Sequence, residues 1–163
     1  MKFKLKDPGS SITHFIGMLM ALFAATPLLI RASTNPDYVH VVSLAIFILS
    51  MILLYGASAT YHALDLSEKA NRILRKLDHM MIFVLIAGTY TPVCVIVLGG
   101  TVGYGLLALV WGIALAGILV KALWITCPKW FSSILYIAMG WVCVLAFTQI
   151  ITSLSAQAFG WLL

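Results

Sequence analysis

The chain is 163 residues long, 63% hydrophobic and only 9% charged, with a mean hydropathy of +1.08. A soluble globule is usually about a quarter charged, so this chain has too little polar surface to cover itself in water and reads as a membrane protein. The net charge of +5 does not point to nucleic acid, because the ten Lys and Arg fall almost wholly in short segments between apolar runs, where the positive-inside bias places them.

At about 20 residues per span the length holds some five helices and short loops, which predicts an all-α, polytopic transmembrane bundle forming a single domain over 1–163. Lys2, Lys4 and Lys6 precede Asp7-Pro8-Gly9. The first apolar run lacks a small-x-small cleavage site before the next polar turn, so it reads as a retained span rather than a removed signal peptide. That span is predicted from about Ile12 to Ile30, capped by Ser10 or Ser11, with Pro27 loosening its last turn. Asn35-Pro36-Asp37 is a turn. The second span is placed from about Val39 to His62, and the segment from Asp65 to Lys76 is a basic loop. The third runs from about Asp78 to Leu98 with Gly88 and a kink near Pro92, and ends at Gly99-Gly100. Gly99-x-x-x-Gly103 matches a helix-dimer pattern but is better explained by turn chemistry. The fourth runs from about Tyr104 to Trp124 and the fifth from about Ser132 to Leu154. Tyr38, Tyr104, Trp124, Trp130 and Trp161 fall near span ends, as an aromatic belt would. Cys94, Cys127 and Cys143 are odd in number with no C-x-x-C spacing, which argues against a disulfide framework.

The N-terminus carries three Lys or Arg, the Asp65–Lys76 segment four and the Lys121–Lys129 segment two, while the intervening turns carry one and none. This alternation predicts a multi-pass protein of the cell inner membrane with a cytoplasmic N-terminus, and puts His14, His62, Asp78 and His79 at the cytoplasmic rim. Ionisable groups at such positions normally pair, bind an ion or serve a proton path. Ser58 and His62 are four apart on one helical face, and Asp78 follows 16 residues later after an antiparallel reversal. A neutral imidazole, a carboxylate and a supporting hydroxyl suit a zinc ion. Packing for Ser58, a carbonyl bond for His62 and a helix cap for Asp78 explain the same residues without a metal. His79 lies about 100° round the helix from Asp78 and is a lesser partner. His40, near the opposite end of the second span, reads as interfacial.

Ser10-Ser11-Ile12-Thr13-His14, Ser58-x-x-x-His62, Leu77-Asp78-His79, Ala87-Gly88-Thr89-Tyr90-Thr91-Pro92 and Met139-Gly140-Trp141, in that order, resemble the haemolysin III branch of the adiponectin-receptor-like and progestin-receptor-like membrane proteins. The resemblance implies a seven-helix bundle with zinc near the cytoplasmic face. In that pattern His62 is a metal ligand, Asp78 reaches the metal through water, Ser58 supports both, and a His-x-x-x-His on the last span completes the set. His14 and His79 are the nearest substitutes here, because the four histidines are His14, His40, His62 and His79 and no His-x-x-x-His occurs. The chain is therefore expected to hold five spans of a seven-span fold and to bind zinc weakly or not at all. Where the family tends to have Glu and Asn before Thr-His, this chain has Asp7 and Ser10.

By resemblance, the function expected is that of a haemolysin III-type membrane protein associated with cytolysis, haemolysis and membrane homeostasis. Membrane lipids are its partners, and there is room for a homo-oligomer. The alternative is a zinc-dependent hydrolase of lipid amide bonds. It needs three protein ligands and an open position, so the balance for these 163 residues leans away from an enzyme, and no catalytic residue is assigned.

Overall fold

The computed structural model describes residues 5–124 and 128–162, without the side chains of 129, 159, 161 and 162. Helix α1 runs Pro8–Ser33, α2 Tyr38–Ala63, α3 Glu68–Pro92 and α4 Gly100–Leu123, and α5 covers Lys129–Trp141. A π-helical turn, Val93–Leu98, prolongs α3, and a 3-10 turn, Val142–Ala146, joins α5 to α6, Phe147–Ser153; α7, Ala156–Leu162, follows. Among the described residues, five helices are long and apolar enough to cross a membrane, the fifth being the broken rod Trp130–Ser153. Their outward faces carry large apolar side chains such as Met20, Phe23, Leu119 and Leu145 in the open, the pattern of helices solvated by lipid.

The helices pack as successive antiparallel neighbours, α1 on α2, α2 on α3 and α3 on α4, with α5 against α3 and α4. A buried apolar cluster sits between α3, α4 and the fifth span, its largest fully buried side chains being Phe83, Met139, Val110 and Cys94. Lys121 is buried near the end of α4 and donates to Ser132 Oγ of α5 at 2.6 Å. Cys94 and Cys143 are free thiols, and Cys127 lies outside the described residues. Tyr38, Tyr104, Trp124 and Trp130 are exposed near helix ends, where interfacial aromatics belong; the Trp161 side chain lies outside the described residues.

Three local features differ from the sequence expectation. Helix α1 starts four residues earlier than placed, because Asp7 rather than Ser10 or Ser11 is the N-cap, with Pro8 in the first turn, where its missing N–H costs nothing. Helix α3 starts at Glu68, not near Asp78. Ser67 caps it through Ala70 N, and Asn71 ties the preceding loop by bonding Leu66 N, Leu66 O and Asp65 Oδ1. Asp78 is thus well inside a helix and is not its cap. The bend expected near Pro92 is a π-helical turn closed by Gly99 N on Cys94 O at 3.0 Å; proline cannot donate to the preceding turn, and one wide turn absorbs the mismatch. Gly99 and Gly100 then reverse the chain at φ 58° and 52°, a backbone region glycine enters without steric cost.

Gly88 fixes the register of α2 against α3. A Cβ there would come within 2.6 Å of Ser50 Cβ, so only glycine lets the two backbones approach this closely. We expect Gly88→Val to lower the thermal midpoint of the detergent-solubilised protein, at a cost of about 1–3 kcal/mol typical of overpacking. Gly112→Ala, where a Cβ meets nothing within 4 Å, should leave the midpoint unchanged or raise it.

Candidate functional site

The site is built at the end where α1 begins and α2 finishes. The last carbonyls of α2 have no intrahelical partners, and the segment before α1 crosses them: Asp7 N donates to His62 O at 2.8 Å and Lys6 N to Ala63 O at 3.3 Å. Ser11 Oγ adds a bond to Ala59 O at 3.4 Å. Asp7, Ser11 and His14 share one face of α1 and Tyr55, Ser58 and His62 one face of α2, by the three- and four-residue spacing of helix neighbours.

Between those faces lie two imidazoles. His14 Nδ1 and Ser58 Oγ are 2.7 Å apart, and His62 Nδ1 is 3.1 Å from Asp7 Oδ2. The two rings stand edge-on with centroids 5.9 Å apart, and Tyr61 lies 4.9 Å from the His62 ring. Neither Nε2 has a hydrogen-bond partner among the described residues. The Asp7 carboxylate can only accept, so His62 donates from Nδ1 and its unengaged Nε2 offers one lone pair. The Ser58 hydroxyl can accept from or donate to His14 Nδ1, and His14 offers the same lone pair in the tautomer that donates.

The Ser50–Gly88 contact sets the depth of Asp78. Ten residues along α2 from Ser50 is Thr60, and ten back along α3 from Gly88 is Asp78, so Asp78 lies about level with Thr60, between Ser58 and His62. Its carboxylate is buried, and its nearest charged neighbour is His79, with 3.6 Å between Asp78 Oδ2 and His79 Nδ1. That nitrogen is closer to Arg75 O, at 2.8 Å, so it carries the proton and donates to the carbonyl. Among the described residues no hydrogen bond or ion pair joins Asp78 to His62, and no group of three or more His, Cys, Asp or Glu could hold a metal ion. The structure thus brings His14, Ser58 and His62 together, sets Asp78 with His79 at the same depth, and leaves His40 in a separate contact, 3.4 Å from Asn35. Asp7 is the residue that sequence reasoning did not assign to the site. Its signal was Asp-Pro at the start of an apolar run, an N-cap followed by proline; that the same carboxylate reaches His62 follows only from the packing of α1 on α2.

These observations define a polytopic α-helical membrane protein with a polar, histidine-bearing site where its first two spans meet one rim. The chain matches the family described as Haemolysin-III related over residues 4–163. It is 39% identical over 158 residues to "Hemolysin-3 homolog" of Bacillus subtilis (strain 168), covering 96% of this chain and 74% of that relative. It is 35% identical over 162 residues to "Hemolysin-3" of Bacillus cereus, covering 99% of this chain and 74% of that relative. No solved structure matches it. The chain belongs to the haemolysin III family.

The Asp7 carboxyl is held below its usual range, first by the Ser10 hydroxyl at 2.8 Å, then by the Ser10 amide and by His62, against a smaller opposing effect of desolvation. A carboxyl whose pKa is lowered by folding stabilises the folded form fully above its ordinary value of 3.8, and this contribution is lost as the pH falls through the lowered value. We expect protection of the Asp7 and Ser11 amides from hydrogen exchange, corrected for intrinsic rates, to hold down to about pH 4 and to fall several-fold below it. In Asp7→Asn the protection should be weaker at neutral pH and lose this acid dependence.

Proposed function

We propose that this chain is a haemolysin III-type protein of the inner membrane, N-terminus cytoplasmic, that acts on membrane integrity and lipid homeostasis through the polar site between α1 and α2. The haemolysis named in the Bacillus cereus relative is the activity this reading extends to it. The observation that carries the proposal is the pair of imidazoles, each with Nδ1 against an oxygen and Nε2 unengaged, at the depth of the buried Asp78. Such groups are costly in a membrane protein and mark ion, proton or ligand sites.

Zinc is the cofactor expected of the site, and the donor set is a partial fit. His62 and His14 would offer neutral imidazole nitrogens, with Asp7 and Ser58 steadying the rings, and Asp78 would act through water. Protein zinc takes three or four ligands, and two imidazoles do not make that number. Zinc bound to residues 1–163 is therefore weak, and lipid-amide hydrolysis, which needs three protein ligands and an open position, is the lesser reading. Elemental analysis of purified chain should find well under one zinc per chain at micromolar free zinc, with the residual binding lost in His62→Ala. Stoichiometric zinc, or binding indifferent to His62→Ala, would overturn this reading.

Orientation is tested separately. The alternation of basic and non-basic segments leads us to expect periplasmic reporters to be active when fused after Asn35 and after Gly100, and silent after Arg72. An active fusion at Arg72 would move the site to the opposite face.

A further inference from the structure

The register that sets Asp78 level with Thr60 has a second result. Thirteen residues from Ser50 is Ala63, the last residue of α2, and thirteen back from Gly88 is Arg75. The first seven residues of α3 therefore project beyond the end of α2, by about 10 Å at 1.5 Å per residue. This overhang carries Lys69 and Arg72, with Arg75 and Lys76 at its base.

Two adjoining cavities open along it. One, of about 400 Å³, is lined by Lys6, Tyr61, Glu68, Asn71, Arg72 and Arg75. The other, of about 500 Å³, shares Glu68 and Arg72 and adds Lys69, Lys76 and Ile73. The first holds three cationic side chains against one carboxylate. Among the described residues no ion pair joins Lys6, Lys69, Arg72 or Arg75 to an acidic side chain. Lys6 is instead positioned over the Tyr61 ring, its Nζ 4.1 Å from the centroid. Concave, uncompensated positive charge attracts an anion, and guanidinium pairs suit phosphate oxygens. Ile73 is half-exposed beside the second cavity, and Leu77, one turn on along the same face, is exposed; α3 then continues as an apolar span. Phosphate-binding cations above an exposed aliphatic strip match the headgroup and acyl chains of a lipid rather than a free ion.

We propose that the overhang of α3, with Lys6 and Tyr61, is a binding site for the phosphodiester headgroup of an anionic phospholipid. It is distinct from the His14–His62 pair and holds whether or not that pair takes zinc.

The test is lipid-dependent stabilisation of the purified full chain in a neutral detergent, read as thermal midpoint and as lipid adducts in native mass spectrometry. Phosphatidylglycerol should raise the midpoint and give adducts, phosphatidylcholine should do neither, and the effect should weaken with added salt. Arg72→Gln with Arg75→Gln should raise the phosphatidylglycerol concentration needed for half the effect at least about tenfold, the change expected on losing two charge-assisted contacts. Arg72→Lys should keep most of the effect, and Arg31→Gln, near the far end of α1, should keep all of it. Equal responses to phosphatidylcholine and phosphatidylglycerol would overturn the proposal, as would an undiminished response in the double variant. Inorganic phosphate or glycerol phosphate reproducing the full shift would overturn the lipid assignment.

Discussion

In lipid no solvent can satisfy a backbone N–H or C=O, so every place where a helix ends or breaks needs a protein group to complete it. That constraint accounts for several of the contacts that join one helix to another in this molecule. At the end of α2 the segment before α1 donates from Lys6 and Asp7 to the free carbonyls of Ala63 and His62. Where the fifth span changes from α to 3-10 geometry, the Tyr90 hydroxyl lies 2.9 Å from both Met139 O and Gly140 O and accepts the Cys143 amide at 2.9 Å. One phenol on α3 thus holds three backbone groups of the broken rod. After Pro92 the wide turn restores pairing, and Thr91 accepts from Trp111 Nε1 at 3.2 Å while bonding back to Ala87 O.

The same constraint links the fold to the site. Asp7 satisfies several needs at once: its amide closes the α2 terminus, its carboxylate caps α1 through Ser10, and the same carboxylate faces His62. The geometry of His62 is therefore tied to the docking of α1 on α2. A loosened N-terminal turn would release the imidazole along with the helix end. The short Asp side chain reaches His62 because the backbone itself is drawn onto the α2 terminus.

Much of this was legible in the sequence. Spans were visible because apolar runs of this length have no other solution, and Gly99-Gly100 marked a reversal by its backbone freedom. Other features were not. The start of α3 was read as a loop because it is dense in charge, yet Glu68, Lys69, Ala70, Arg72 and Leu74 are good helix formers and Ser67 caps them; charge reports exposure, not irregularity. The break at Val142 has no proline or glycine within it, and the backbone groups around it are met by the Tyr90 hydroxyl of another helix, a contact that span prediction cannot supply. His14 meeting Ser58, and Asp7 meeting His62, depend on how α1 turns about its axis against α2, which span prediction leaves open.

The depth of Asp78 shows how one close contact propagates. Were Ser50 and Gly88 unable to touch, α3 could slide along α2 by a turn, about 5.4 Å, and two features would shift together. Asp78 would leave the level of Ser58 and His62, and the basic overhang would lengthen or shorten by about half. Gly88 contributes no chemistry to either region. Yet the absence of its side chain sets the carboxylate at the depth of Ser58 and His62 and the guanidinium groups beyond the end of α2, so the composition of one helix contact sets the relative positions of two chemically unrelated surfaces.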